Sequence, residues 1–168
     1  SFYWEVEWMV PPIPWKLKTD TRGYNGTGYF DYGDNGRGKG EMKFEFYVTK
    51  PGKYIATIRG GRWREGSCET ARSDECNDVF SKMDEKMPYC KTMIKGRWNT
   101  WIWQSRIAEC KGYIAKPVKY DLKEGKHTFY IKGRSNGVKL DAVAIYLDGT
   151  VQPKRPISIR TDVHKQKK

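Results

Sequence analysis

The sequence predicts an all-β protein, an antiparallel β-sandwich, on three observations. Apolar residues recur at every second position, sustained helical periodicity is absent, and Gly- or Pro-bearing turns separate segments of strand length. Each sheet of such a chain is apolar on one face, and stacking two sheets on those faces makes the core. A parallel α/β arrangement would need helical crossovers, which the pattern lacks.

The first strand is expected over 4–9, where Glu5 and Glu7 stand two apart and would emerge on one face. A short strand over 28–32 follows. In 42–48, Met42, Phe44, Phe46 and Val48 alternate with Lys43, Glu45 and Tyr47, so one face points inward. Pro51-Gly52 then turns the chain into 53–60, a hairpin signal. Further strands are expected over 79–83, 100–104 and 117–122. Gly125 opens another over 126–134, Ser135-Asn136-Gly137 reads as a turn, and 139–147 closes the set. Two irregular segments, 61–76 and 84–98, interrupt the pattern, and both carry cysteine. Connections of that length are uncommon unless tethered or functional.

The chain has 168 residues, 38% hydrophobic and 31% charged, which suits a single domain with a core of its own. Residues 1–150 are read as that domain. Residues 151–168, with prolines at 153 and 156 and six basic side chains against one acid, read as a basic linker or docking tail. No apolar stretch approaches the roughly 20 residues that span a bilayer, so no membrane crossing is expected. The opening residues lack a charged-then-apolar leader, consistent with a mature secreted chain.

Lys and Arg number 32 against 20 acids, a net charge of +12, so polyanions are the natural class of partner. Solubility alone is the competing reading of that charge. Cysteines at 68, 76, 90 and 110 fit no C-x2-4-C zinc pattern and have no histidine near them. Their even number favours two disulfides and an oxidising compartment. Of three connectivities, Cys68 with Cys76 and Cys90 with Cys110 is favoured, because each closes a loop between expected strands; four reduced thiols are the alternative.

Several motifs, taken in order, carry a resemblance. Glu5-Val6-Glu7, Gly23-Tyr24-Asn25-Gly26-Thr27-Gly28-Tyr29 and Pro51-Gly52-Lys53-Tyr54-Ile55-Ala56-Thr57-Ile58-Arg59 look like segments of family 6 and family 35 carbohydrate-binding modules. Trp98-Asn99-Thr100-Trp101, Leu122-Lys123-Glu124-Gly125-Lys126-His127-Thr128 and Lys139-Leu140-Asp141-Ala142-Val143-Ala144-Ile145 extend the likeness to residue 147. Asn77-Asp78-Val79 and Gly133-Arg134-Ser135-Asn136-Gly137 look like versions attached to enzymes that degrade marine polysaccharides.

The resemblance implies a galactose-binding-like jelly roll and a non-catalytic sugar binder. It also implies a structural calcium held by Glu5, Glu7 and Asp141, with oxygens from the loop of Asn25 and Thr27. Trp98 matches the stacking Trp of the family's loop site, Tyr24 or Tyr29 the opposing aromatic, and Asn136 the amide beside terminal hydroxyls. The loop between Cys68 and Cys76, the second cysteine pair and the basic tail depart from the family pattern.

The residues support parts of this independently. Two carboxylates on one face are costly unless a cation lies between them, and carboxylates with backbone carbonyls are calcium ligands. A surface strand whose acids meet Lys or Arg is the plainer reading. Sugars stack their C–H faces on exposed rings, and Trp63, flanked by Arg62, Arg64 and glycines, is hard to bury. Arg62, Arg64, Arg72 and Arg134 fall in the same expected loops, and a guanidinium holds sulfate or carboxylate bidentately. Asn77 and Asp78 would accept hydroxyls at the mouth of the site or cap a strand. Asn25-Gly26-Thr27 also fits an N-glycosylation sequon.

The expected function is therefore binding of an anionic polysaccharide, sulfated or uronic, outside the cell, with an attached catalytic domain as a natural partner. An extracellular assembly subunit contacting neighbouring protomers is the alternative. Catalysis is disfavoured: His127 lies in a strand, His164 in the tail, and Asp74, Glu75 and Asp78 form no recognisable acid/base motif. Nucleic acid is disfavoured because the basic residues form no reading motif.

Overall fold

A computed structural model describes residues 1–33, 36–108, 110 and 116–155. The tail over 156–168, with Pro156 and His164, lies outside the described residues. Those described form two antiparallel sheets packed face to face, with no α-helix among them.

The first half of the chain supplies β1 (Phe2–Glu5), β2 (Lys16–Lys18), β3 (Tyr29–Asp31), β4 (Met42–Val48), β5 (Gly52–Gly61) and β6 (Asp78–Met83). The second half supplies β7 (Cys90–Met93), β8 (Ile102–Gln104), β9 (Ile107–Ala108), β10 (Lys119–Leu122), β11 (Gly125–Gly133) and β12 (Lys139–Leu147). One sheet runs β10-β5-β12-β3-β2, with β1 also on β12 and β8 also on β5; the other runs β4-β11-β6-β7-β9. The alternation in β4 buries Met42, Phe44, Phe46 and Val48, which with Phe129 and Ile131 of β11 face Tyr54, Ala56 and Ile58 of β5 and Val143 and Ile145 of β12. That shared apolar layer is what the period-two pattern demands.

Three expectations change. The expected first strand ends at Glu5, and Val6–Trp8 form a 3-10 turn, so Glu5 and Glu7 do not share a strand face. The Pro51-Gly52 turn joins no hairpin: β4 pairs with β11, whereas β5 pairs with β10, β12 and β8 in the other sheet. The turn at Ser135-Asn136-Gly137 likewise carries the chain from β11 in one sheet to β12 in the other. Turn chemistry specifies a reversal, and the inward face of the next strand decides which layer it joins. Finally, β2, β7 and β9 are additional, being too short or too polar to show alternation.

In β12 the register shifts between Leu140 and Ala142, and Asp141 is the residue at the irregularity. The bulge keeps Leu140 and Val143 in the core while placing an acid within an apolar run.

Cys68 joins Cys76 and Cys90 joins Cys110. The second bridge ties β7 to residues beyond β9, over a small cluster of Cys90, Ile107 and Val118. Cys90→Ala/Cys110→Ala is expected to lower stability by about 3 kcal/mol, because the bridge closes a loop with a sequence separation of 20. The midpoint of urea unfolding checks this, and a shift worth under about 1 kcal/mol would remove the bridge from the scaffold's stability.

Candidate functional site: an end cleft and an acidic cluster

At one end of the sandwich, β5 runs out at Gly61, β3 ends at Asp31 and β12 begins at Lys139. Two adjoining hollows open there. The larger, about 580 Å³, is lined by Lys18, Asp20, Asp31, Trp63, Glu65 and Lys139, among others. The smaller, about 430 Å³, is lined by Arg37, Asp74, Glu75, Arg134, Ser135 and Asn136, among others, and Ser67 borders both.

Trp63 reaches the cleft because the backbone leaves β5 through Gly61, where any Cβ would strike the Trp63 ring and the Thr100 carbonyl. Its ring leans on Trp101 at 4.7 Å, Trp101 meets Tyr29 edge-on at 5.3 Å, and Tyr29 meets Tyr24 at 5.6 Å. The Trp101 indole N–H donates to the Arg22 carbonyl at 2.8 Å, which holds this run of rings in place. Trp63 is half-buried and is the ring of this run that lines the cleft.

The cleft floor is charged but balanced. The Lys139 ammonium, buried, lies 2.7 Å from both Asp31 and Glu65. Burial alone would lower its pKa, but the hydrogen bonds to those two carboxylates outweigh it and the pKa rises, so it stays charged. Lys18 stands 3.5 Å from Asp31. The Tyr29 hydroxyl donates to Asp20 at 2.5 Å and meets Thr21 at 2.8 Å. Burial, then Asp20, raises the Tyr29 pKa, and the same hydrogen bond lowers that of Asp20.

Several residues expected to touch ligand hold the scaffold instead. Tyr29 is fully buried, so its ring is a support for Trp101 and not an opposing face. Arg62 is buried and donates to the carbonyls of Ser73 at 2.8 Å, Glu75 at 3.0 Å and Gly96 at 3.2 Å. Its guanidinium carbon lies 4.0 Å from the Trp98 ring centroid, and that of Arg64 lies 3.7 Å from it. Two guanidinium groups that close would overlap above one face, so they cover one face each.

Trp98, expected to be the stacking ring, is half-buried, with an arginine over each face and the cluster of Cys68, Ala71 and Cys76 against it, and it lines neither hollow. Arg64 also donates from its backbone N–H to Asn99 and from its guanidinium to the Ala71 carbonyl. Arg72 pairs with Asp74 and Glu75 of its own loop. Asn77 and Asp78 are buried; Asp78 accepts from Arg134 at 2.8 Å and from Ser135, bracing the turn before β12. A buried acid is tolerable when paired in this way. The expected set thus divides: Trp63 and Asn136 line the cleft, Tyr24 packs on Tyr29, and Arg62, Arg64, Arg72, Asn77, Asp78, Tyr29 and Trp98 line neither hollow. Lys18, Asp20, Asp31, Glu65 and Lys139 lie outside the expected set, because nothing local marks a lysine at the head of an apolar strand as part of a cleft.

The acidic cluster lies apart from the cleft. A Cβ on Gly26 would come within 2.0 Å of a Glu5 oxygen and 2.1 Å of Glu7 Oε1, so the two carboxylates approach within about 4 Å of each other and only glycine fits there. Burial first, then the hydrogen bond and charge of Glu7, push the Glu5 pKa up to about 7. Asp141 is pushed up to about 6 by burial, against the opposing pull of the Asn25 N–H and Arg59. Glu7 Oε1 accepts from the Thr27 N–H at 2.8 Å, while its buried Oε2 has no hydrogen-bond partner.

Asp141 accepts the Asn25 N–H at 3.0 Å on both oxygens and pairs with Arg59. The Asn25 side chain is turned away, donating to Tyr3 and to the Lys154 carbonyl, so this sequon amide is engaged. Among the described residues no three His, Cys, Asp or Glu side chains are grouped to hold a metal. What stands is a pair, Glu5 and Glu7, with an orphaned oxygen.

The fold then meets its relatives. A family 35 carbohydrate-binding module from Clostridium thermocellum superposes with a TM-score of 0.57 at 16% identity, over 87% of this chain and 97% of that one. The fold is that of a family 35 module. A family 35 domain, Xyl-CBM35, in complex with a disaccharide containing glucuronic acid, matches with a TM-score of 0.58 at 12% identity, over 94% of this chain and 99% of that one. A Paenibacillus sp. cycloisomaltooligosaccharide glucanotransferase matches with a TM-score of 0.56 at 16% identity. That match covers 84% of this chain and 18% of the enzyme, so the module fold spans less than a fifth of that protein. No family model and no curated protein matches the chain.

Proposed function

We propose that this chain is a non-catalytic carbohydrate-binding module whose ligand lies in the end cleft. The observation that carries the reading is Trp63, a half-buried ring at the wall of a hollow of about 580 Å³ whose other walls are hydrogen-bonding charged groups. A ring with polar neighbours suits a pyranose, which offers a C–H face and a rim of hydroxyls. The carboxylates of the cleft support binding over catalysis, since Asp31 and Glu65 pair with Lys139, Asp20 accepts from Tyr29, and Asp74 and Glu75 pair with Arg72. An anionic polysaccharide, sulfated or uronic, is the ligand class favoured by Arg37, exposed at the smaller hollow. The two disulfides support an extracellular setting, in which such a module delivers an attached catalytic domain.

Trp63→Ala is expected to weaken retention in polysaccharide-containing native gels by about 1 to 3 kcal/mol, the range for aromatic stacking on nucleobases. Unchanged retention on every polysaccharide that retards the parent chain would sink the cleft as the binding place.

We propose further that calcium binds at Glu5 and Glu7. The orphaned Glu7 oxygen and the close approach of the two carboxylates over Gly26 support a hard cation there, while Asp141 stays with Arg59 and the Asn25 N–H. Glu5 and Glu7 would hold it, with the loop of Asn25 and Thr27 beside them. A bound cation would neutralise the pair and fasten the end of β1 to that loop.

A further inference from the structure

We propose that the outer face of the five-stranded sheet is a second binding surface, for a sulfated polysaccharide, independent of the end cleft. Alternation sets Lys43, Tyr130, Lys82, Phe80 and Lys132 on the side of β4, β11 and β6 opposite to Phe44, Ile131 and Val79; Lys43 is exposed and Phe80 and Lys132 are half-buried, whereas Tyr130 and Lys82 are buried and bond to Glu85. The register sets Tyr130 between Lys43 and Lys82, and Phe80 beside Lys132.

Cations and rings alternate across these strands. Lys43 and Lys82 lie 5.8 and 4.7 Å from the Tyr130 centroid, and Lys82 and Lys132 lie 4.9 and 3.9 Å from that of Tyr89. Lys132 and Arg134 flank Phe80 at 5.8 and 5.7 Å.

The acids of this face are already engaged. Glu41 accepts from the Tyr89 hydroxyl, Glu85 from that of Tyr130 at 2.8 Å, Glu45 pairs with Lys126 at 3.3 Å, and Asp78 with Arg134. Glu85 also lies 3.9 Å from Lys82, while Glu41, bonded to a neutral phenol, keeps its charge; Lys43 and Lys132 have no carboxylate within ion-pair distance among the described residues, so with these two cations against Glu41 the face keeps a surplus of positive charge. The end cleft does not: its larger hollow has three carboxylates against two ammonium groups.

The chemistry of the occupant follows. Because ammonium and guanidinium groups already sit over these rings, neither a nucleobase nor the C–H face of a neutral sugar finds a bare ring to stack on. A chain presenting repeated sulfates would contact the ammonium groups of Lys43 and Lys132 directly, and its attraction would fade with salt.

The test is retention of the whole chain in native gels containing dextran sulfate, with unsulfated dextran as the control. Dextran sulfate should retard the chain at low salt, dextran should not, and about 0.5 M salt should abolish the effect. Lys43→Gln/Lys132→Gln should weaken retention about fivefold with an unchanged melting temperature, since both side chains are surface cations without an acid partner. Full retention by that variant, or no retardation by dextran sulfate at low salt, would overturn the proposal. So would loss of retention in Arg37→Gln alone, which would assign the anion to the cleft, or equally tight binding of double-stranded DNA. A chain that loses nothing in Trp63→Ala but weakens in the double lysine variant would keep this surface and lose the cleft.

Discussion

Arg62→Ala should lower the stability of this protein by about 3 to 4 kcal/mol, and its melting temperature by roughly 10 °C. The buried guanidinium serves three backbone carbonyls, those of Ser73, Glu75 and Gly96, which come from two separate loops. Truncation leaves these acceptors without a donor, at about 1 to 3 kcal/mol for a buried group, and the losses overlap because the loops relax together. It also bares one face of Trp98, removing a cation–π contact worth up to about 2 kcal/mol when desolvated. Arg62→Lys should rescue little, since one ammonium cannot reproduce a planar fork that meets three carbonyls while stacking on an indole. Thermal and urea unfolding check the magnitude. A loss below about 1 kcal/mol would mean that the disulfide holds the 66–76 loop without help. Because Ser67, Ala71, Asp74 and Glu75 of that loop line the cleft, polysaccharide retention should fall in the same variant, although Arg62 touches no ligand.

Calcium should raise stability by about 3 to 4 kcal/mol when present at a hundred to a thousand times its dissociation constant, or roughly 10 °C in melting temperature. The reason is electrostatic: Glu5 and Glu7 bring their carboxylates within about 4 Å in a buried setting, where like charges repel strongly until a cation or a proton intervenes. Glu7→Gln separates this account from a simple acid cluster. In chelator it should melt higher than the parent, because one of two crowded charges is gone, and in calcium it should show no further rise. A parent melting temperature indifferent to calcium and chelator would remove the metal. A variant that melts lower than the parent in chelator would show that the Glu7 carboxylate stabilises the loop through the Thr27 N–H alone.

Trp98 and Trp63 have similar sequence surroundings and different places in the fold. Both stand beside arginine and glycine in polar surroundings, and both therefore read as exposed rings. Trp63 reaches a hollow; Trp98 is clasped between Arg62 and Arg64, which arrive from the end of β5. No local feature distinguishes the two, since the difference lies in contacts between segments distant in the chain. The same holds for Glu5 and Glu7. Their closeness was legible from a spacing of two, yet the 3-10 turn and the crowding at Gly26, not strand alternation, bring it about.

What the sequence by itself determined is the class of fold, because alternation with period two is a local property of a half-buried strand; an even cysteine count favoured two disulfides, and the structure supplies their pairing. The tertiary structure alone decided which sheet each strand joins, which rings face solvent and which charges cancel. Those outcomes depend on the packing of inward faces and on which cation finds which carboxylate, and neither is written at any one position. Hence a chain of net charge +12 has a nearly neutral end cleft, while Lys43 and Lys132 on the outer side of a sheet have no ion-pair partner among the described residues.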